Sequence, residues 1–223
     1  MKIIARIQSD FKEKFGIPRQ AGIVPELTAR IIFEPEYRNP HAVMGLEGYS
    51  HLWLIWQFSE AIRDTWSPTV LPPRLGGKTH MGVFATRSPF RPNPIGLSCV
   101  RLEKIVQDPR LGPVLYVNGA DLMDGTPIYD IKPYLKYVDS HPDAVCGFAD
   151  HVQNYELEVA FPPELLEIIP PEKRKAAFGI LRQDPRPPYQ NDPERRYGVA
   201  FAGYDIRFHV KDGILAVCEV VKL

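Results

Sequence analysis

The 223-residue chain has little cysteine, no long apolar run and none of the commonest nucleotide or hydrolase loops, and each shortage removes a class of protein. Cys99, Cys146 and Cys218 are odd in number, far apart and form no C-x-x-C pair, so neither a disulfide framework nor a zinc knuckle is encoded. They read as buried thiols. No apolar stretch approaches the roughly 20 residues of a spanning helix. Arg6 falls where a signal peptide would be apolar, so the expectation is a cytosolic protein with no membrane role. His41, His51, His80, His141, His151 and His209 match no zinc spacing, and no metal site is expected. G-x-G-x-x-G, H-E-x-x-H and G-x-S-x-G are absent, and a Walker A loop ending at Gly77-Lys78-Thr79 would need glycine where Pro72 stands.

What is present is proline and an uneven charge. The 23 prolines are about twice the usual share, which favours short strands joined by stiff loops over a helical bundle. A formal net charge of zero conceals 17 Lys/Arg against 14 Asp/Glu in residues 1–140, and 10 against 13 in 141–223. No acid stands between Asp64 and Glu103, where Arg74, Lys78, Arg87, Arg91 and Arg101 lie. Such a segment attracts an anion such as nucleic acid, phosphate or carboxylate. A solvated loop neutralised by acids folded against it is the alternative.

Residues 2–7, 24–33, 50–58, 82–86, 97–107, 114–118 and 127–134 carry β-branched and aromatic residues at strand length between Gly, Pro and Asn. With no helix of useful length between them, they predict an antiparallel β-barrel-like domain over residues 1–140 rather than a Rossmann fold. Residues 141–223 predict a small α+β domain: a strand at 155–161, a helix over 163–181 broken at Pro170-Pro171, and strands at 197–210 and 214–222 around a Lys211-Asp212-Gly213 turn. The fold class is therefore mainly β with an α+β C-terminal part.

Three segments carry candidate chemistry. Gly82 to Ser98 holds Pro89, Pro92 and Pro94 around Arg87, Arg91 and Asn93, a stiff backbone that presents two arginines to a ligand or to neighbouring acids. In Ala120 to Tyr134, the Asp124-Gly125 turn puts Asp121 and Asp124 at a strand end, and Asp130 and Lys132 share one strand face. Those carboxylates could hold ribose hydroxyls or an ammonium group, or could be turn caps and a cross-strand ion pair. Lys14 to Gln20 is a third stiff turn, whose Gly and Pro turn chemistry alone explains. The proline-rich 184–189 stretch is expected to present Arg186 and Tyr189 outward.

Phe15-Gly-Ile-Pro-Arg19-Gln20, Gly48-Tyr-Ser-His51-Leu-Trp53, the block from Gly82 to Ser98, and Asp121-Leu-Met-Asp-Gly-Thr-Pro-Ile-Tyr-Asp-Ile-Lys-Pro-Tyr134 together resemble the TsaA-like family (TrmO, formerly YaeB). The likeness covers most of residues 1–140, and Asp184-Pro-Arg-Pro187 with Tyr189 extends it. Ser9-Asp10 departs from the Ser-Pro of the family's opening motif. The resemblance implies a homodimeric, S-adenosyl-L-methionine-dependent methyltransferase. Its substrate would be tRNA bearing N-threonylcarbamoyladenosine beside the anticodon. It implies cofactor contacts from Pro18, Arg19, Gln20, Gln57, Phe58, Arg87, Leu97, Asp121, Leu122, Met123 and Asp124. Candidate catalytic groups are Asp130, Lys132 and Tyr134, with Arg91, Asn93, Arg186 and Tyr189 placed toward tRNA. The C-terminal domain would assist tRNA recognition. A non-catalytic RNA-binding barrel is the alternative, and a hydrolase is disfavoured because Ser50-His51 and Ser88 form no triad.

Overall fold

The computed structural model describes residues 1–151, 155–187 and 192–223. Its first half is built from strands β1 (Ala5–Gln8), β2 (Thr28–Phe33), β3 (His51–Gln57), β4 (Thr69–Val70), β5 (Met81–Gly82), β6 (Ile95–Asp108), β7 (Gly112–Asn118) and β8 (Pro127–Pro133), followed by the single turn α1 (Lys136–Asp139). Six of the strands form a closed antiparallel barrel in the order β1-β2-β7-β6-β3-β8, and β4 and β5 make a separate two-stranded ladder. Closure comes from β1, which sets Ala5 opposite Phe33 on one side and opposite Ile128 on the other.

Alternation decides which side chains fill this barrel. Along β3, Leu52, Leu54 and Trp56 are buried while His51, Trp53, Ile55 and Gln57 face outward. Ile7, Ile31, Val100, Leu115, Val117 and Ile128 complete the interior from the other five strands.

The second half contains β9 (Glu158–Ala160), α2 (Pro163–Leu166), α3 (Pro171–Arg182), β10 (Tyr197–Phe201), β11 (Tyr204–Lys211) and β12 (Ile214–Lys222). Pro170-Pro171 separates the two helices as expected, and α3 starts with proline at its first position, where no backbone N–H is needed. The sheet order is β10-β11-β12-β9, with β9 parallel to β12. Ala176, Ala177, Ile180 and Leu181 of α3 pack with Phe201, Phe208 and Leu215 of the sheet.

This second core also takes Phe11, Val24 and Leu27 from the segment between β1 and β2, with Phe15 and Ile17 against its edge. Phe11 meets Phe201 at 5.4 Å between ring centroids. Asp10, the departure from the family's opening motif, ion-pairs with Lys173 of α3 at 2.5 Å, and its carbonyl accepts from the Ala202 N–H. The early turn is thus fastened to the C-terminal module.

Four expectations are corrected. The 197–210 stretch is two strands, β10 and β11, because the chain reverses at Ala202-Gly203, both at positive φ (52° and 83°). Only the first residue of 82–86 is strand, since Val83–Ala85 turns as a 3-10 helix. Cys146 and Cys218 are exposed, and Cys99 is half-buried. Arg186 points inward: Asp184 holds it by Nε at 2.8 Å and by a second guanidinium nitrogen at 2.9 Å, with only 9% of the arginine side chain exposed. Tyr189 lies outside the described residues. No helix among those described is long and apolar enough to cross a membrane.

Candidate active site

The site is organised at the barrel end where the β7–β8 connection passes β6. Gly96 of β6 lies beneath the Trp56 ring, where a Cβ would come within 2.2 Å of it, so glycine is what lets the indole cross that strand. Trp56 Nε1 donates to Ser98 Oγ at 2.9 Å, and Ser98 Oγ donates to Asp121 Oδ1 at 2.6 Å. This chain runs through the protein interior, since Trp56 is 6% and Ser98 2% exposed.

Burial pushes the Asp121 carboxyl above the ordinary aspartate range. Its hydrogen bond from Ser98, the backbone N–H groups of Asp121 and Ala21, and the Arg87 charge act in the opposite direction without cancelling the shift. Asp121 is therefore under-compensated and suited to a ligand that brings further donors or positive charge. Arg87 reaches across to Gln20, donating from its guanidinium to Gln20 Oε1, so two of the sequence candidates meet here. Gln20 in turn donates from Nε2 to the Arg19 carbonyl at 2.5 Å. Pro18 and Arg19 also border a separate cleft of about 220 Å³, shared with Ile180, Asp184 and Arg186 and not lined by Gln20, Arg87 or Asp121.

The other residues of the 121–124 turn are already occupied. Leu122 is core, 1% exposed, and its carbonyl accepts from Ser9 Oγ at 2.9 Å. The Met123 carbonyl accepts from Thr126 Oγ1 at 2.7 Å. Asp124 accepts from the Ser9 N–H at 3.0 Å and from Lys12 Nζ at 2.6 Å. These contacts clamp the turn to residues 9–12, leaving Asp121 as its under-compensated carboxylate.

At the end of β3, Phe58 lies 4.2 Å from the Trp56 ring, and its N–H donates to the Pro94 carbonyl. Gln57 Oε1 accepts from the Tyr129 hydroxyl at 2.5 Å. Gln57 and Leu97 face the outer wall, Leu97 being 54% exposed, whereas Ser98 faces inward. Asp130 and Lys132 also share that outer wall and pair with each other at 2.8 Å. Tyr134 is not brought to this end. Its N–H donates to the His51 carbonyl and its ring packs on His51 and Trp53 at the start of β3, about 20 Å of strand from Gln57.

Arg91 fastens its own loop by donating to the Val83 and Thr86 carbonyls at 3.1 and 2.7 Å, while Asn93 stands exposed. Sequence reasoning missed Ser98, Trp56, Ala21 and Tyr129; only the Trp56–Gly96 register across β3 and β6 could have pointed to Ser98. Among the described residues no group of three His, Cys, Asp or Glu could hold a metal.

A buried, under-compensated carboxylate, an arginine–glutamine pair and an aromatic end wall suit a small ligand with a cationic centre, a carboxylate and a flat ring. Fold and site together define a protein that places such a cluster at the end of a closed antiparallel barrel instead of at the edge of a parallel sheet. The chain belongs to the tRNA-methyltransferase O family: the family's N-terminal domain model matches residues 6–140 and its C-terminal domain model matches 154–223. It is 42% identical over 217 residues to the tRNA (adenine(37)-N6)-methyltransferase of Escherichia coli, covering 94% of this chain and 92% of that one. It is 40% identical over 222 residues to a putative S-adenosylmethionine-dependent methyltransferase of Pseudomonas aeruginosa, covering 92% and 90%. A crystal structure of TrmO from Pseudomonas aeruginosa superposes with a TM-score of 0.79 at 34% identity, covering 99% of this chain and 96% of that one.

Proposed function

We propose that the chain is a methyltransferase that places a methyl group from S-adenosylmethionine on N6 of adenine 37 of tRNA, acting on the N-threonylcarbamoylated form. The observation that carries this reading is the near-full-length similarity to the E. coli enzyme combined with the Asp121–Arg87–Gln20 cluster at the barrel end. When bound, the cofactor supplies an electrophilic methyl group on a sulfonium sulfur. Asp121 would accept from its ammonium or ribose donors, Arg87 and Gln20 would meet its carboxylate end, and Phe58 with Gln57 would border its adenine. Pro18, Arg19 and Leu97 would close the slot. Orientation of the acceptor can contribute roughly 7–11 kcal/mol at best. Single-turnover methylation of tRNA followed by nucleoside mass spectrometry tests the reading; no methylated adenosine at position 37 would overturn it.

The acceptor nitrogen bears a proton and a carbamoyl group, so loss of that proton or polarisation of the carbonyl is needed. Asp130 and Lys132 are proposed for these two tasks. Normal single-turnover chemistry in both Asp130→Asn and Lys132→Ala, with cofactor binding measured separately, would remove them. Asn93 and the C-terminal module are proposed to assist tRNA placement, whereas Arg186, held by Asp184, acts within that module. The working form is proposed to be a cytosolic homodimer, supported by the family resemblance and by the exposed outer-wall Ile95 and Leu97, 37% and 54% exposed. A non-catalytic RNA-binding barrel is the second reading. It is favoured by the acid-free stretch between Asp64 and Glu103, and it requires no heat of S-adenosylmethionine binding.

A further inference from the structure

Three large aromatic side chains stand open to solvent on the loops beside the cluster: Trp66 at 53%, Phe84 at 71% and Phe90 at 40% exposure. They belong to neither hydrophobic core and take no part in the Asp121–Arg87–Gln20 cluster. They are arranged with arginines: the Arg63 guanidinium lies 3.8 Å from the Phe90 ring centroid and that of Arg91 lies 5.7 Å from Phe84. Trp66 and Phe84 are 6.1 Å apart with their planes 34° off parallel.

The backbone beneath is held. Arg91 ties the Val83 and Thr86 carbonyls, Thr86 Oγ1 donates to the Val83 carbonyl at 2.9 Å, and Ser88 Oγ accepts from the Phe90 N–H at 3.3 Å. Pro89 and Pro92 fix further φ angles nearby. Exposed aromatic surface on a pre-organised loop marks an interaction face, because little ordering remains to oppose binding.

We propose that Trp66, Phe84 and Phe90, with Arg63 and Arg91, form a stacking platform for unpaired bases of the substrate RNA loop. The proposal rests on the tRNA reading above. Bases offer flat faces to aromatic and guanidinium planes, and their phosphates complement a segment that has cations but no acid between Asp64 and Glu103. Position supports the assignment too. Arg87, which donates to Gln20 in the cluster, lies in the same loop midway between Phe84 and Phe90. A base taken out of its stack to reach the proposed cofactor site would leave neighbours needing new stacking partners at this spot.

The test uses the full-length protein and a short hairpin RNA of anticodon stem-loop sequence. Trp66 is the most exposed of the three tryptophans, so the hairpin should quench protein fluorescence, and Trp66→Phe should abolish most of the quenching. Phe84→Ala and Phe90→Ala should each weaken hairpin binding about tenfold, with calorimetric binding of S-adenosylmethionine unchanged. Hairpin affinity within about twofold of wild type in both variants would overturn the platform even if wild type methylates tRNA. A lower sedimenting mass for Phe84→Ala than for wild type, without RNA, would reassign the face to contact between copies and overturn it too. Wild-type protein that neither binds the cofactor nor methylates tRNA would instead sink the preceding reading.

Discussion

Two aspartates, one at the barrel end and one in the C-terminal module, are both withdrawn from water and differ in what surrounds them. Asp184 has a guanidinium on both oxygens and the Tyr155 hydroxyl at 3.0 Å. Burial alone would raise its carboxyl, but these partners outweigh burial and hold it below the ordinary value. Asp121 has one serine hydroxyl, backbone N–H groups and a more distant Arg87, and burial wins. Burial alone therefore does not mark a site. Burial without full compensation is what makes Asp121 the candidate for the proposed cofactor site, because a ligand could supply the missing partner.

The sharpest way to break this comparison is to remove each carboxylate. Asp184→Ala leaves Arg186 nearly buried without its partner, and we expect a loss of about 3 kcal/mol in stability by denaturant unfolding. Loss of less than about 1 kcal/mol would mean the pair is not structural. Asp121→Asn removes the charge while keeping an acceptor for Ser98. Cofactor affinity should fall tenfold or more, about 1.5–3 kcal/mol for a hydrogen bond to a charged group, while stability at pH 7 rises.

Acid titration gives the two aspartates opposite signs. Asp121 has a raised folded value, so its ionisation penalty is present at neutral pH and disappears as pH falls through that value; the gain from Asp121→Asn should vanish in acid. Asp184 has a lowered folded value, so its contribution is full above the unfolded value near 3.8 and is lost as pH falls through the folded one. Melting curves of wild type, Asp121→Asn and Asp184→Asn from neutral pH to about pH 3 check both. A stability gain for Asp121→Asn that persists in acid would contradict the assignment.

Smaller effects sharpen the link between the two regions. Ser98→Ala should cost about 1 kcal/mol, leave Trp56 Nε1 without its partner and raise Asp121 further. Asp10→Ala should cost less than about 1 kcal/mol, since its pair with Lys173 is partly solvated. If Asp10→Ala nonetheless weakens cofactor binding, the early turn transmits strain from the C-terminal module to Gln20.

Much of the fold was legible because it follows local rules. The alternation in His51–Gln57, the break at Pro170-Pro171 and the Asp212-Gly213 turn are written in residue type and period. The reversal at Ala202-Gly203 was not, because alanine at positive φ gives no turn signal. Nor was the transfer of Phe11 and Val24 to the second core, which only tertiary packing decides. At the site, Arg87, Gln20 and Asp121 could be named from motif resemblance. Ser98 could not, because its value comes from Trp56 on the neighbouring strand. Arg186 was read outward because its segment is polar and proline-rich, yet Asp184, two residues before it, supplies the charge that lets it turn in.

The most direct test is a calorimetric titration of S-adenosylmethionine into wild type, Asp121→Asn, Arg87→Ala and Asp184→Asn. Wild type should bind, the two barrel-end variants should lose at least tenfold in affinity, and folded Asp184→Asn should stay within about threefold of wild type. Undiminished binding in both Asp121→Asn and Arg87→Ala would place the cofactor elsewhere and contradict the account.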